Sequence, residues 1–262
     1  MKIWYQSALD LHASASNYRM ALERHFEKVK SPGTEVSLHG RGEAGKGLVR
    51  SDIIGAPALY FKAITPVFID AVLNAQRSGY DAFVIGTYSE PIVTELRSLS
   101  KIPVITMPEA SMLLACSVAP KFALVTLSRV AVSYMYKTIA AHKLEPRVSG
   151  VYVVDEMMDE EELDKHFGEP GPYLERFREA CRHAIRNGAQ AVIPAEGMMA
   201  ALIVSNGVTD VDGAPIVDPI AAPILFAEFA VRMGKTTGIQ QSRIAYPRPS
   251  AAGMKAIFGV DE

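Results

Sequence analysis

Two polar residues about 109 positions apart hold equivalent places in this chain and differ in kind. Gly79-Tyr80-Asp81-Ala82-Phe83-Val84-Ile85-Gly86-Thr87 matches Gly188-Ala189-Gln190-Ala191-Val192-Ile193-Pro194-Ala195-Glu196, so an apolar run ends once in a hydroxyl and once in a carboxyl. The repeat extends downstream, where Ile102-Pro103-Val104-Ile105 is echoed by Ala214-Pro215-Ile216-Val217. It extends upstream as well, where Lys2-Ile3-Trp4-Tyr5-Gln6-Ser7 is echoed by Lys121-Phe122-Ala123-Leu124-Val125-Thr126. A carboxyl at the end of a buried strand is expected to be partly desolvated, which suits it to moving protons. A threonine hydroxyl can only donate or accept a hydrogen bond. Glu196 is therefore the candidate acid–base residue, with Thr87 opposite it.

The elements that must position these residues follow from periodicity. Short apolar runs at Ile3–Tyr5, Phe83–Ile85, Val104–Ile105, Phe122–Val125, Val151–Val154, Ala191–Ile193 and Pro215–Val217 are bounded by Gly, Pro or Asp. They read as strands buried on both faces, as in parallel sheets. Between them, Pro172–Asn187 carries an apolar stripe of Leu174, Phe177, Cys181, Ala184 and Ile185, with Gly188 as its stop. Thr65–Ser78 reads as a second helix, with Pro66 in its first turn and Gly79 as its stop. The expected fold is α/β, with two pseudo-symmetric, doubly wound parallel-sheet halves and the site in the cleft between them. Residues 1–119 with 220–262 would form the first half and 120–219 the second.

Ligands of open α/β sheets bind beyond the carboxyl ends of the strands. That rule nominates Gln6, Ser7, Tyr88, Ser89, Thr126, Ser128, Gly197 and Met198 as substrate-binding residues around Thr87 and Glu196. Hydroxyls and free backbone N–H groups at helix starts favour a small anion or carboxylate. The same residue types also serve as plain helix caps.

Composition narrows the remaining classes. Apolar residues make up 49% and charged residues 21%, with a formal charge of −2 and a pI near 6.3. This is an ordinary globular balance with no electrostatic footprint for nucleic acid. Met1-Lys2-Ile3-Trp4 lacks the pattern of a signal peptide, and Ile216–Val231 is broken by Asp218, Pro219, Pro223 and Glu228, so neither secretion nor a membrane partner is expected. Two cysteines, Cys116 and Cys181, suit a reducing cytoplasm and lie on helical apolar runs as small hydrophobes. The six histidines show no metal-ligand spacing, so no metal or cofactor is implied. His12 follows the first strand and is a candidate for the cleft, whereas His25, His142 and His183 are expected on helix surfaces. The glycine-rich segment His39–Gly47 lacks the ending of a phosphate loop and reads as a flap or surface loop, and the acidic run Asp155–Asp164 as a solvated face.

Several of these segments carry a resemblance to a known family. Gly86-Thr87-Tyr88-Ser89-Glu90-Pro91 resembles the first cysteine motif of the Asp/Glu/hydantoin racemase superfamily, Gly-Cys-Phe-Gly-Asp-Pro. Pro194-Ala195-Glu196-Gly197-Met198 resembles its second, Leu-Gly-Cys-Ala-Gly-Met. Ile102-Pro103-Val104, Glu109-Ala110-Ser111, Phe122–Thr126, Val217-Asp218-Pro219 and Ala245-Tyr246-Pro247-Arg248-Pro249 are similar to further segments, the last to the close of hydantoin racemases. In that family two opposed thiols remove and return a proton beside a carbonyl. The resemblance implies that Thr87 and Glu196 stand at the two thiol positions. A threonine hydroxyl is too weak an acid for that role, so two-thiol racemisation is not expected.

The resemblance implies a cofactor-independent enzyme for a small carboxylate or a hydantoin-like cyclic amide. Glu196 would be its general acid/base, activating water for hydrolysis or desulfurisation, with Thr87 and Tyr88 donating to an oxyanion. Alternatives are a single-base isomerase, a decarboxylase, or a ligand-binding relative without catalysis. A homo-oligomer is expected.

Overall fold

The structure, a computed structural model, describes residues 1–11, 16–44, 56–127, 129–154 and 160–260. Ser128, His12, Gly45–Gly47 and Asp155–Asp159 lie outside the described residues. The first sheet contains β1 (Lys2–Gln6), β2 (Glu35–His39), β3 (Ala82–Ile85) and β4 (Val104–Thr106), in the order β2-β1-β3-β4. All three pairings are parallel. Helices α1 (Ser16–Val29), α2 (Pro57–Arg77) and α3 (Val93–Leu99) connect these strands, and α4 (Met107–Val118) follows them. The second sheet repeats the pattern with β5 (Phe122–Thr126), β6 (Val148–Val153) and β7 (Val192–Pro194) in the order β6-β5-β7. Ile216 makes a parallel bridge to Val192, where the first sheet has its fourth strand. In each sheet the chain leaves the first strand to one side and returns on the other, which places a topological switch between β1 and β3 and between β5 and β7.

β2 is absent from the apolar runs of the sequence. Glu35-Val36-Ser37-Leu38-His39 alternates polar with apolar residues, as suits an edge strand that is only half covered. Helix α2 is longer than the pattern suggested, because Pro57 occupies its first turn and Pro66 lies in its interior. By length and composition this helix could cross a membrane, but its Ile64, Phe68, Val72 and Ala75 are buried in a core with Phe83 and Ile85 of β3.

The second half continues with α5 (Val132–Ala141), α6 (Glu160–Lys165), α7 (Gly171–Arg186) and α8 (Gly197–Ser205). A small hairpin, β8 (Asp210–Val211) with β9 (Ala214–Pro215), leads to α9 (Ala221–Thr237) and α10 (Ala251–Phe258). Helix α9 returns to pack on α4, β3 and β4. Residues 197–203 of α8 are all buried, so this helix is apolar on every side. It packs against α1, whose own buried face is Tyr18, Ala21, Leu22, His25 and Phe26. The start of α1 is held by Asp164 of α6, which accepts from the Tyr18 N–H at 3.2 Å and the Asn17 amide at 2.9 Å. This end of the acidic run is thus a structural cap rather than a solvated face.

Candidate active site

The two switch points meet. Gly86 N–H donates to the Gln6 carbonyl at 2.8 Å, which sets Thr87 beside the end of β1. Ala195 N–H donates to the Val125 carbonyl at 2.6 Å, which sets Glu196 beside Thr126. A Cβ placed on Gly197 would lie 3.9 Å from the Gly86 carbonyl oxygen, so the backbones flanking Glu196 and Thr87 are neighbours across the two halves.

Glu196 is only 3% exposed. Its backbone is extended, and its Oε2 accepts the Met199 N–H at 2.8 Å, capping α8. A carboxylate is favoured there because the first turn of a helix presents unpaired N–H groups and the positive end of its dipole. Gly197 and Met198 are buried within that turn. On the other side Thr87 is 9% exposed, and its Oγ1 is 3.0 Å from Ser89 Oγ. Ser89 Oγ is in turn bonded to the Tyr60 hydroxyl from α2, so three hydroxyls form a chain. Thr126 Oγ1 is buried and has no hydrogen-bond partner among the described residues.

Three nominated residues have side chains engaged elsewhere. Both amide hydrogens of Gln6 are used, on the Ser7 carbonyl at 3.0 Å and the Gly40 carbonyl at 2.9 Å, and its Oε1 accepts from Trp4 Nε1 at 3.0 Å. Gln6 thus fastens the chain after β2, with both of its amide hydrogens engaged within the protein. Ser7 Oγ accepts from Leu9 N–H at 3.1 Å and shapes a turn. The Tyr88 phenol is buried, with its hydroxyl 2.8 Å from Ser111 Oγ. Burial, the largest influence, pushes its ionisation up; the Ser111 bond opposes this and Glu90 adds to it. Tyr88 belongs to the hydrophobic core, and its hydroxyl is bonded to Ser111.

Two histidines expected on helix surfaces are instead turned inward, His25 buried and His142 half-buried, in pairs that join the halves. His25 on α1 is 8% exposed, and its Nε2 lies 2.6 Å from Asp218 Oδ2. Asp218 Oδ1 also takes the N–H groups of Ile220 and Ala221 at 2.9 and 3.0 Å. Burial pushes the Asp218 carboxyl up, but His25 and these N–H groups outweigh it and hold the carboxyl below its ordinary range. At the end of α5, His142 Nε2 lies 2.8 Å from Glu90 Oε2. Burial lowers the affinity of His142 for its proton, and Glu90 and Glu109 more than restore it, so the net shift is upward. His183 is exposed, as expected. The helical patterns alone could not show the carboxylate that each imidazole meets from the other half.

The matched switch points and their position in the chain agree with comparison to known proteins. Residues 61–227 match the model of one family, Asp/Glu/Hydantoin racemase. The chain belongs to that family. Among curated relatives it is similar to the hydantoin racemase of Pseudomonas sp. (strain NS671), with 25% identity over 80% of this chain and 87% of that one. Among solved structures it is similar to allantoin racemase from Klebsiella pneumoniae, with a TM-score of 0.75, 20% identity, and 96% and 95% of the two chains covered. The allantoin racemase of Pseudomonas fluorescens gives a TM-score of 0.72 at 20% identity, over 95% and 97% of the chains.

Neither cysteine of this racemase-family chain lies at a strand end. Cys116 is partly buried on α4 and Cys181 is buried on α7, where burial pushes the thiol up to about 12. Sequence patterns give no signal that Tyr60 or Glu90 adjoins Ser89 and Thr87, and only an indirect one for Tyr5 and Tyr18. That indirect signal is the pair of glycines, Gly86 and Gly197, that flank the repeated strand ends.

Proposed function

We propose that this protein is a cofactor-independent enzyme acting on a hydantoin-like cyclic amide or a small carboxylate, with Glu196 as its single acid–base group. The observation that carries this reading is a buried carboxyl at one strand end whose flanking backbone adjoins that of a hydroxyl chain at the other, with both cysteines elsewhere. Efficient exchange of a proton between two faces of a carbon needs a base on each face, and Thr87 is not a base. The chemistry that suits a one-sided acid is attack by water. Glu196 takes a proton from water as the oxygen bonds to the ring carbonyl carbon, and the carbonyl becomes an oxyanion. The Thr87 side supplies hydroxyl donors to it. The ring C–N bond then breaks, and the departing nitrogen takes the proton from Glu196, giving a ring-opened carbamoyl acid. Relatives named hydantoin and allantoin racemases support the substrate class.

The test is turnover in deuterium oxide and in oxygen-18 water with 5-substituted hydantoins, thiohydantoin acids and small carboxylates. Oxygen-18 in the product without inversion is the expected result, and solvent deuterium at the alpha carbon of both enantiomers refutes the reading. Glu196→Gln is expected to lower kcat at least about a hundredfold, as for a general acid–base residue. A second reading rests on the Met199 N–H bond: Glu196 serves as a helix cap in a binding protein without catalysis. Intact affinity for a ligand that neither wild type nor Glu196→Gln turns over would favour it.

A further inference from the structure

Helix α1 carries two cations that meet no carboxylate among the described residues. The acids of the same helix are taken by other partners, Glu23 by Arg19 and Glu27 by Lys30. Arg24 donates through Nε to the Met20 carbonyl of its own helix at 3.2 Å, and Lys28 makes no hydrogen bond or ion pair among the described residues. Arg24 and Lys28 stand four residues apart, a spacing at which like charges on a helix repel. Both are exposed, and both line the same cavity.

That cavity has a volume of about 390 Å³ and lies on the seam between the halves. Asn17, Ala21, Arg24, His25 and Lys28 recur at helical spacing, so one face of α1 makes one wall. The facing wall is the end of α8, Val204-Ser205-Asn206, at the opposite end of that helix from Glu196. The turn after α8 takes up its last carbonyls. Leu202 accepts from Asn206 Nδ2 at 2.8 Å, and Ile203 and Val204 accept the N–H groups of Asn206 and Gly207, each at 3.2 Å. No carboxylate lines the cavity among the described residues. The acids bonded to the α1 wall are already compensated: Asp164 accepts from Asn17 and the Tyr18 N–H, and Asp218 from the Ile220 and Ala221 N–H groups. His25 backs the two exposed cations with a buried ring, whose Nε2 faces Asp218 and whose Nδ1 has no hydrogen-bond partner among the described residues. An imidazole with hydrogen on both nitrogens satisfies Asp218 with one and an anion with the other.

We propose that this cavity is a second binding site, for a small anion with two or more charges carried on oxygen, such as a phosphate group or a dicarboxylate. Arg24 supplies paired N–H donors, Lys28 a compact charge, His25 a buried donor, and Ser205 a hydroxyl from the facing wall. The anion cancels the repulsion between Arg24 and Lys28 and bridges α1 of the first half to α8 of the second. The same two helices meet again at the start of α8, where a Cβ on Gly197 would fall 2.7 Å from the Tyr18 hydroxyl. Occupancy therefore tightens the seam that carries the Glu196 helix. The ligand is bound and released unchanged, and the site stands whether or not Glu196 is an acid–base group.

Thermal unfolding of the full chain against inorganic phosphate and, in parallel, succinate tests this without a substrate, with ionic strength held constant by sodium chloride. A ligand that binds only the folded protein raises its midpoint as the site fills. Wild type is expected to be stabilised, and the tighter of the two anions identifies a phosphoryl or a carboxylate ligand. The double variant Arg24→Gln, Lys28→Gln changes two exposed side chains and is expected to fold normally while binding at least about tenfold more weakly. Arg77→Gln with Lys121→Gln removes the same charge from exposed positions elsewhere and should bind like wild type. Amide resonances locate the anion: phosphate should shift those of Ser205, Asn206 and the α1 face. Shifts confined to Gly197–Met199 would put the anion at the start of α8 and overturn the proposal. An equal rise of the midpoint in the Arg24, Lys28 variant, the mark of a general salt effect, would do the same. So would equal weakening in the control variant, or no stabilisation by either anion.

Discussion

On the Thr87 side of the site, an imidazole from the second half reaches a carboxylate of the first; on the Glu196 side, an imidazole from the first half reaches a carboxylate of the second. His142 ends the helix that follows β5, and His25 lies on the helix that follows β1. The two seams share a plan and differ in how firmly they are built. Asp218 caps the start of a long helix, and its half-buried carboxylate pairs with the buried His25. Glu90 sits in left-handed backbone with φ 47°, and Ile92, two residues on, has φ 43°. Such conformations disfavour side chains and are held only by their surroundings. Here those surroundings are ionic: His142 holds Glu90 and lies 3.7 Å from Glu109, and Glu109 pairs with Arg97. Arg97 in turn reaches Tyr246 near the end of the chain. The acid therefore stands on a regular helix start, while the hydroxyls opposite stand on a strained loop that a charge network keeps in shape.

Breaking the two seams should separate them. Asp218→Ala removes the partner of the buried His25 and a helix cap together, and urea denaturation is expected to show a loss of about 2–4 kcal/mol. Glu90→Ala should lose clearly less, because Glu109 still faces His142. Equal losses would show that the seams are equivalent. The glycines sharpen the contrast next. Gly86→Ala drives a methyl into the Tyr5 ring and should destabilise by about 1–3 kcal/mol. Gly197→Ala meets only the hydroxyl end of Tyr18 and should lose less, provided that phenol can swing away; the thermal midpoints of the two variants decide it.

The charge network predicts a pH dependence with a fixed sign. Glu90 and Glu109 raise the proton affinity of folded His142 above that of the unfolded chain, against the opposing effect of burial. Its contribution is therefore complete below the unfolded histidine value and fades as pH rises through the folded one. Wild type should lose stability as pH rises from the unfolded histidine value through the higher folded one, and His142→Gln should not show that loss. A parallel pH profile for the variant would remove His142 from the seam. The smallest effect is expected from thiols. The double variant Cys116→Ser, Cys181→Ser should turn over like wild type and lose about 1 kcal/mol of stability, chiefly by burying a hydroxyl at position 181. Loss of turnover with intact folding would return cysteine chemistry to consideration.

Much of the frame was legible in the chain. The buried strands of both halves announce themselves as continuous apolar runs, because a parallel sheet covered on both faces has no polar side to alternate with. The edge strand β2 did not, since its alternation is the signature of half coverage. The repeat also aligned Thr87 with Glu196, and strand-end rules placed Thr126, Gly197 and Ser89 near them. Gln6 and Tyr88 show what that rule leaves open. A strand-end position says that a residue is near the site, whereas the partners of its polar atoms depend on what packs above, here the Gly40 carbonyl and Ser111.

The sequence by itself determined the repeated α/β elements and the difference between a hydroxyl and a carboxyl at their ends, because both are local properties of pattern and residue type. Only the tertiary structure decided that His25 meets Asp218, that His142 meets Glu90, and that Tyr5 and Tyr18 fill the space two glycines leave open. Each of those contacts joins residues remote in the chain, and helical or strand periodicity carries no information about which distant side chain will share a buried charge.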